Sequence, residues 1–353
     1  MSKFFSEKYK NLTPYVPGEQ PKEREYIKLN TNESPFPPSS LAVKMVKKES
    51  KKLYLYSDPD SRELTQTVAR YYGVNREQVI MTNGSDEVLN FAFMAFCDEQ
   101  NPAIFPDITY GFYKVFAEIN NVPYKEIPLK EDFSIAVEDY INEKGTVFIA
   151  NPNAPTGIYL SLEEIEKIVQ SNTNRVVVID EAYIDFGGES AVKLVDKYNN
   201  LLVTQTFSKS RSMAGARLGF GIASKEIIND LESIKYSTNP YNVNRMTAVA
   251  GIGAINDDNY FKNNCKTIID NREFTVKGLK DLGFILTDSK ANFIFAKSDK
   301  IGGKELYLKL KENGILVRHF EKERIKDYVR ITIGSMYQMQ KLLKKVKNVL
   351  ENI

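Results

Sequence analysis

Short apolar runs alternate along this chain with longer amphipathic segments, and this alternation constrains the fold more than any other feature of the sequence. Continuous β-branched runs are typical of buried strands, whereas apolar residues at helical spacing are typical of helices. The strands predicted in this way are Gln78–Thr82, Thr146–Ala150, Arg175–Ile179 and Leu201–Thr206. Helices are predicted at Asp86–Phe96 and Leu162–Gln170. The alternation favours an α/β fold with a mostly parallel central sheet covered by helices.

The C-terminal part of the chain has a different pattern, typical of a smaller α+β domain. Its predicted strands and helices are Asn292–Ala296, Lys304–Glu312, Gly314–Arg318, Tyr328–Ile333 and Met336–Leu350. A chain of 353 residues is long for one core, so two domains are expected. We place the boundary near Tyr260, which gives a large domain of residues 31–260 and a small domain of residues 1–30 and 261–353.

Composition excludes several classes of function. The 48 Lys and Arg residues nearly balance the 46 Asp and Glu residues, so no strong field favours nucleic acid as a partner. Two cysteines, Cys97 and Cys265, cannot form a disulfide framework or a cysteine-based zinc site. The single histidine, His319, disfavours histidine-rich metal chemistry and a histidine general base. We therefore expect no metal site.

Targeting signals are not evident in the sequence. Residues Met1–Asn11 lack the apolar core of a signal peptide. The longest apolar run, Phe91–Cys97, is far shorter than the ~20 residues that cross a bilayer. We therefore expect a cytoplasmic protein that has no membrane partner.

Two nucleotide-binding interpretations fail because a phosphate-binding loop is missing. The run Val176–Glu181 could be the magnesium-binding strand of a nucleotide hydrolase, but the glycine-rich loop of that class is absent. Gly219-Phe220-Gly221 and Gly251-Ile252-Gly253 each lack the third glycine of a dinucleotide fingerprint.

Polar residues suited to one task follow four of the predicted strands. Asn83-Gly84-Ser85-Asp86 precedes a predicted helix, whose free N–H groups could bind an anion. Residues Asn151–Gly157 form a polar turn that two prolines make rigid. Each loop taken alone is explained equally well by an ordinary turn or helix cap.

The other two strand ends carry a carboxylate and a lysine. Asp180 ends an apolar strand, where a carboxylate needs a partner such as a protonated ring nitrogen, and Tyr183 could place its hydroxyl beside the same ring. Lys209, after the next strand, could be a Schiff-base nucleophile, and Arg217 could pair with a phosphate. Alone, Asp180 could cap a turn and Lys209 could be a surface residue. Together, the four strand ends describe a pyridoxal phosphate site.

Longer motifs extend over nearly the whole chain. They are Leu12–Gly18, Lys28–Pro35, Tyr56–Pro59, Ile108–Tyr113, Gly314–Arg318 and Val329–Gly334. With the order Asp180, Lys209, Arg217, they resemble the aspartate-aminotransferase fold class of pyridoxal-phosphate enzymes, and within it the histidinol-phosphate aminotransferase family. The resemblance implies pyridoxal 5'-phosphate as the cofactor and transferase fold type I, with a mostly parallel central sheet in the large domain.

The resemblance also implies roles for individual residues. Lys209 would hold the cofactor and shuttle a proton, Asp180 would keep the pyridine nitrogen protonated, and Tyr183 would bond the phenolic oxygen. Tyr110 would stack on the ring, and Tyr56 would reach the cofactor phosphate of a neighbouring subunit. The phosphate region would be held by Gly84, Ser85, Asp86, Ser208 and Arg217. The substrate would be bound by Tyr15, Asn32, Arg318 and Arg330.

Two positions depart from the family's pattern. Family members commonly carry asparagine immediately before Pro155, where this chain has Ala154. We expect the neighbouring Asn153 to supply the amide contact to the cofactor instead. After Gly334, the usual acidic stretch is replaced by Ser335–Met339.

The function that the resemblance implies is amino transfer between glutamate and imidazole acetol phosphate, giving histidinol phosphate and 2-oxoglutarate in histidine biosynthesis. An aromatic amino-acid aminotransferase and a threonine-phosphate decarboxylase on the same scaffold are the alternatives. A regulator with an aminotransferase-like domain is disfavoured, because motifs that begin at Tyr15 leave no room for a DNA-binding module. The expected partners are small-molecule substrates and a second copy of the chain, in a homodimer with shared active sites.

Overall fold

A computed structural model describes residues 2–10, 12–171 and 173–352. Helices α1–α10 are Ser40–Glu49, Arg62–Tyr72, Ser85–Phe96, Phe112–Asn120, Leu162–Ser171, Lys225–Thr238, Arg245–Asn256, Asp258–Asp281, Gly303–Glu312 and Met336–Glu351. Strands β1–β13 are Ile27–Lys28, Val79–Thr82, Ala103–Pro106, Tyr124–Ile127, Thr146–Ala150, Val177–Asp180, Leu201–Thr206, Gly219–Ala223, Phe284–Leu286, Phe293–Ser298, Ile315–Leu316, Arg318–His319 and Val329–Thr332. Short 3₁₀ helices are Glu7–Tyr9, Ser50–Lys52, Arg76–Gln78, Val137–Tyr140, Ile184–Phe186, Ala191–Leu194, Ala214–Ala216 and Glu323–Ile325.

A seven-stranded sheet, in the order β2-β8-β7-β6-β5-β3-β4, forms the centre of the fold. Strand β8 is antiparallel to its two neighbours, and the other strands all run in one direction. Every residue of β5, β6 and β7 is buried, as expected for parallel strands covered on both faces. The sheet confirms the predicted α/β class. It also brings the carboxyl ends of β2, β3, β5, β6 and β7 to the same edge.

The C-terminal part contains a four-stranded antiparallel sheet in the order β12-β13-β10-β9. The N-terminal strand β1 joins this part by pairing in parallel with β11, Ile27 opposite Ile315. A separate apolar core, which includes Ile294, Ile331 and Leu342, lies there. This core is separate from the apolar clusters that cover the central sheet, and on that basis we propose the division into residues 31–260 and residues 1–30 with 261–353. Tyr260 lies in the first turn of α8, which continues to Asp281.

The predicted strands and helices are present, with ends shifted by one or two residues, except at one place. Gly314–Arg318 is not a single strand, because Ile315–Leu316 pairs with β1 whereas Arg318–His319 pairs with β13. The change of partner turns the chain between two sheets. No helix within the described ranges is both long and apolar enough to cross a bilayer.

Candidate active site

The loops at the carboxyl edge of the central sheet line a cavity of about 340 Å³. This cavity shares Thr31, Tyr110, Ala154, Tyr183 and Lys209 with a wider space of about 810 Å³ that extends toward the C-terminal part. Parallel pairing of β6 with β7 brings Asp180 opposite Thr204. Asp180 and Lys209 therefore reach the cavity from adjacent strands.

Asp180 is the buried acid of this cavity, and its side chain is 5% exposed. Its oxygens accept hydrogen bonds from the Tyr113 hydroxyl at 3.1 Å and the Ala182 N–H at 3.3 Å. Burial raises the pKa of Asp180 to about 7, although the Tyr113 hydrogen bond acts in the opposite direction. A buried carboxylate with so few donors favours a ligand that brings an N–H group or a positive charge.

The neighbouring Glu181 is equally buried but is satisfied by the protein. Its carboxylate accepts hydrogen bonds from Ser190 Oγ at 2.6 Å, the Ala191 N–H at 2.6 Å and Gln205 Nε2 at 2.8 Å. Burial raises its pKa to about 7 as well. Glu181 fixes the loop that follows β6, whereas Asp180 lines the cavity.

Lys209 and Tyr183 lie close together in the cavity. Lys209 Nζ donates to the Thr31 carbonyl at 3.3 Å and lies 5.7 Å from the centroid of the Tyr183 ring. The Tyr183 hydroxyl accepts a hydrogen bond from Asn32 Nδ2 at 3.0 Å, and its ring packs edge-on against Phe293. The amine and the hydroxyl therefore both face the space that Asp180 lines.

A cradle for an anion lies at the other end of the cavity, where α3 begins. Gly84 precedes Ser85, the first residue of α3, and has a φ of +81°, which favours glycine. A Cβ at Gly84 would lie 2.7 Å from Arg217 Nη2. Free N–H groups at the helix start and the Arg217 guanidinium together favour a phosphate. The hydroxyl-bearing Ser208 also lines this cavity.

Asp86 orders the groups around that cradle. Its Oδ2 pairs with Arg217 Nη2 at 2.9 Å, and its Oδ1 accepts the Tyr110 hydroxyl at 2.7 Å. Asp86 therefore holds the arginine and the tyrosine in place.

The structure does not bring Asn153 to the cavity. Its Nδ2 donates to the Ile108 carbonyl at 2.9 Å, and its Oδ1 accepts from Thr109 Oγ1 at 2.8 Å, so the amide is used within the polar turn. Ala154 lines the cavity instead. The expected replacement of the missing amide by its neighbour is therefore not seen.

Arg330, on β13, lines the wider space between the rings of Phe293 and Phe320, whose centroids lie 5.3 and 5.6 Å from Cζ. Nη2 donates to the Asn30 carbonyl at 3.1 Å, whereas the enclosed Nε has no partner among the described residues. Burial lowers the pKa of Arg330, but a guanidinium remains charged. An enclosed cationic donor without an acceptor favours an anionic substrate.

The other residues predicted to bind substrate have supporting contacts. The Arg318 guanidinium donates to the carbonyls of Val16 and Pro17, at 3.1 and 3.2 Å. Tyr15, which immediately precedes Val16, stacks on Phe112 and lines the wider space. Arg318 therefore holds the N-terminal segment over the cavity. Asn32 lines the same space but directs its amide toward Tyr183.

Tyr56 lies apart from the other site residues. Its side chain is 80% exposed and stacks on Tyr241, with ring centroids 4.7 Å apart. Tyr56 does not line the cavity of its own chain within the described residues. Leu53, Tyr54 and Leu55 beside it are exposed as well.

The chain belongs to the class I and II aminotransferases, since the sequence model of that family matches residues 24–346. A histidinol-phosphate aminotransferase from Brachyspira hyodysenteriae is 49% identical, over 100% of both chains. One from Clostridium acetobutylicum is 48% identical, over 99% of this chain and 100% of its own length.

Solved structures confirm the fold. A histidinol-phosphate aminotransferase from Clostridium acetobutylicum aligns with a TM-score of 0.85 and 25% identity, over 93% of this chain and 100% of its own. One from Sinorhizobium meliloti, in complex with pyridoxal-5'-phosphate, aligns with a TM-score of 0.85 and 21% identity, over 93% and 92%. Pyridoxal phosphate is the cofactor of this class, and the residues of the cavity fit it. Asp180 suits a ring nitrogen, Lys209 supplies an amine, and the start of α3 suits the phosphate.

Proposed function

We propose that this chain acts as a histidinol-phosphate aminotransferase in histidine biosynthesis. It would transfer the amino group between glutamate and imidazole acetol phosphate, giving histidinol phosphate and 2-oxoglutarate. The observation that carries the proposal is Arg330, whose enclosed Nε has no partner in the part of the chain that the structure describes and whose cavity also contains Lys209. Relatives that share 46–49% identity over their whole length support this substrate.

In this proposal, residues of the central sheet hold the cofactor. When bound, pyridoxal phosphate supplies an electron sink for negative charge at the substrate α-carbon. Asp180 would keep a proton on the ring nitrogen, Tyr183 would donate to the phenolic oxygen, and Lys209 Nζ would carry the proton to and from the α-carbon. Tyr110, which lines the same cavity, would stack on the ring. The phosphate region is held by Gly84, Ser85, Asp86, Ser208 and Arg217.

The substrate is bound from the opposite side. The planar guanidinium of Arg330 fits either a carboxylate or a phosphate, as a site that alternates between two anionic substrates requires. Tyr15 and Arg318 close the N-terminal segment over the substrate and limit the access of water. A cytoplasmic location belongs to the same proposal, because the substrates are small molecules of histidine biosynthesis.

We also propose a homodimer with two shared sites. The support is the exposed aromatic segment Leu53–Tyr56, which in the resembling family reaches the cofactor phosphate of the neighbouring subunit. Exposed adjacent aromatic side chains are typical of an interface. In such a dimer, each site would receive Tyr56 from the other chain.

Mixing two inactive variants tests this arrangement. Lys209→Ala lacks the amine, and Tyr56→Ala lacks the donated hydroxyl, so a heterodimer would have one intact site. Activity well above either parent would support sharing. No recovery, when a tag assay shows subunit exchange and each parent has clearly lost activity, would place Tyr56 in the site of its own chain.

A half-reaction screen tests the substrate. Each candidate amine is added to the purified holoenzyme, and conversion of the cofactor to its amino form is followed by absorbance. We expect rapid conversion by glutamate and by histidinol phosphate. Faster conversion by phenylalanine or tyrosine than by histidinol phosphate would favour an aromatic aminotransferase. Loss of carbon dioxide from threonine phosphate would favour the decarboxylase.

A further inference from the structure

Asn32 and Thr332 form a closed pair of hydrogen bonds beside Tyr183. The Asn32 backbone N–H donates to Thr332 Oγ1 at 2.9 Å, and Thr332 Oγ1 donates to Asn32 Oδ1 at 3.0 Å. Asn32 Nδ2 then donates to the Tyr183 hydroxyl at 3.0 Å. Asn32 and Thr332 are 1% and 2% exposed, so water does not compete for these bonds.

The direction of each proton follows from this geometry. Thr332 Oγ1 already accepts the Asn32 N–H, so its own proton needs an acceptor, and Asn32 Oδ1 lies within reach. This fixes the orientation of the Asn32 amide, whose NH₂ group must face Tyr183. Tyr183 accepts that bond, and no described residue accepts its proton. The proton is therefore free to point into the cavity.

The backbone holds the pair in place. Asn32 has a φ of +55°, in the left-handed region that asparagine tolerates better than most residues. Its carbonyl accepts from Asn292 Nδ2 at 3.0 Å, and the Thr332 N–H donates to the Leu29 carbonyl at 2.9 Å. Asn32 is thus fixed at both its backbone and its side chain, which is typical of a positioning role.

We propose that Asn32 and Thr332 are positioning residues that hold the Tyr183 hydroxyl as a hydrogen-bond donor to the cofactor's phenolic oxygen. The inference rests on the proposed function, and it differs from the expectation that Asn32 binds substrate. The Tyr183 contact is especially important in this chain, because Ala154 lines the cavity where the family has an amide, and Asn153 does not replace that amide. Tyr183 would then carry this contact without help from the polar turn.

The cofactor absorbance reports this hydrogen bond directly. The Tyr183 bond stabilises negative charge on the phenolic oxygen, and a proton taken up beside that oxygen neutralises the same charge. Weakening the bond therefore strengthens proton binding and raises the pH midpoint of the absorbance change. The charged and titratable groups that line the two spaces around Tyr183 are Tyr15, Glu33, Asp86, Asp107, Tyr110, Lys114, Glu126, Asp180, Lys209, Arg217, Arg318, Lys322 and Arg330. None of them is altered in the variants below.

The experiment is a pH titration of holoenzyme absorbance in four variants. Tyr183→Phe removes the donor and gives the largest expected shift of the pH midpoint. Thr332→Val, which keeps the shape but removes the hydroxyl, and Asn32→Gly, which tolerates the positive φ, should each raise the midpoint by about 0.5 to 1 pH unit, a part of the roughly 1 to 2 units that a whole hydrogen bond to a charged group is worth. Thr332→Ser, which retains the hydroxyl, should stay near the wild-type midpoint.

A double variant separates positioning from a general structural effect. In the Tyr183→Phe background, Thr332→Val should cause no further shift, because the hydroxyl through which it acts is gone. An additional shift there, or wild-type midpoints in both Thr332→Val and Asn32→Gly, would overturn the proposal. If Thr332→Val fails to fold, Asn32→Gly gives the same decision.

The Tyr183→Phe variant separates this inference from the proposed function. If Tyr183→Phe itself leaves the midpoint unchanged, Tyr183 does not contact the phenolic oxygen, and both the proposed role of Tyr183 and this inference fail. If Tyr183→Phe shifts the midpoint but neither positioning variant does, the inference alone fails. The substrate is tested independently, by the half-reaction with histidinol phosphate in the wild-type protein.

Discussion

The two walls of the cavity are built in different ways. The cofactor wall comes from strands of one sheet, whose carboxyl ends place Ser85, Asp180 and Lys209 together. The substrate wall joins the two ends of the chain, since Arg330 bonds the carbonyl of Asn30, 300 positions away. The first wall follows from local strand–loop units and parallel pairing. The second depends on long-range pairing, which the local sequence pattern does not specify.

We expect the cofactor wall to control turnover more strongly than the substrate wall does. Asp180→Asn should lower the turnover number by roughly 100- to 1,000-fold, the usual cost of removing a group aimed at developing charge. Steady-state kinetics of cofactor-loaded protein measure this effect. Wild-type turnover in a folded, loaded variant would contradict the role of Asp180.

Glu181→Gln is the matched control for this prediction, because Glu181 is the neighbouring buried acid and does not line the cavity. We expect a loss of less than about tenfold, since no group aimed at developing charge is removed. A loss as large as that of Asp180→Asn would mean that burial at the end of β6, and not contact with the cavity, accounts for the effect.

The substrate wall should act mainly on binding. Arg330→Ala should raise the KM for both glutamate and histidinol phosphate by about 10- to 100-fold, the range expected for losing hydrogen bonds to a charged group. Arg324→Ala is the control, because Arg324 pairs with Asp107 at 3.1 Å and lines neither space. An effect confined to one substrate would show that the two anions bind separately, one of them through Arg318 or Tyr15.

The phosphate end of the cofactor wall can be tested through a glycine. Gly84→Ala should weaken pyridoxal phosphate binding by about tenfold, because the new Cβ would lie 2.7 Å from Arg217 Nη2. Gly73→Ala is matched in backbone strain, since Gly73 has a φ of +71°, but a Cβ there would have no atom of another described residue within 4 Å. Equal cofactor dissociation constants for both variants, measured by equilibrium dialysis, would rule out the Arg217 clash.

A smaller effect should appear in the stability of the cofactor-free protein. Folding raises the pKa of Asp180 from 3.8 to about 7. The folded wild-type protein therefore loses stability as the pH rises through that interval. Asn does not ionise, so Asp180→Asn should be more stable than wild type above pH 7, by about 1 kcal/mol. The whole pKa shift of Asp180 corresponds to roughly 4 kcal/mol. The expected gain is smaller, because the amide of Asn cannot accept the hydrogen bonds of both Tyr113 and Ala182 as the carboxylate does.

Urea unfolding of the cofactor-free proteins at about pH 5 and pH 8 measures this difference. The advantage of the variant should grow with pH. Asp288→Asn is the control, because the Asp288 side chain is 85% exposed and gives no comparable burial penalty. A variant that is less stable than wild type at both pH values would contradict the burial argument.

The sequence predicts the cofactor wall well because each part of it is local. Asp180 ends one strand and Lys209 follows the next, and parallel neighbours must bring such strand ends together. The side-chain directions in the polar turn are harder to predict from sequence. Spacing does not show that Asn153 bonds Ile108 and Thr109, or that Ala154 lines the cavity.

The substrate wall was predicted only in part. The division of Gly314–Arg318 between two sheets depends on pairing with β1 and β13, which lie far away in the chain. The contact of Asn32 with Thr332 has the same origin, because the two residues are 300 positions apart. The motif Lys28–Pro35 indicates that Asn32 belongs to the site, but the sequence pattern does not show that its amide faces Tyr183.

The lysine that holds the cofactor can be located chemically. Borohydride reduction of the holoenzyme fixes the cofactor to that amine, and peptide mapping by mass spectrometry then identifies it. We expect a label on Lys209, the amine that shares its cavity with Asp180 and Arg217. A label on any other lysine, with Lys209 unmodified, would contradict the assignment of this cavity as the cofactor site.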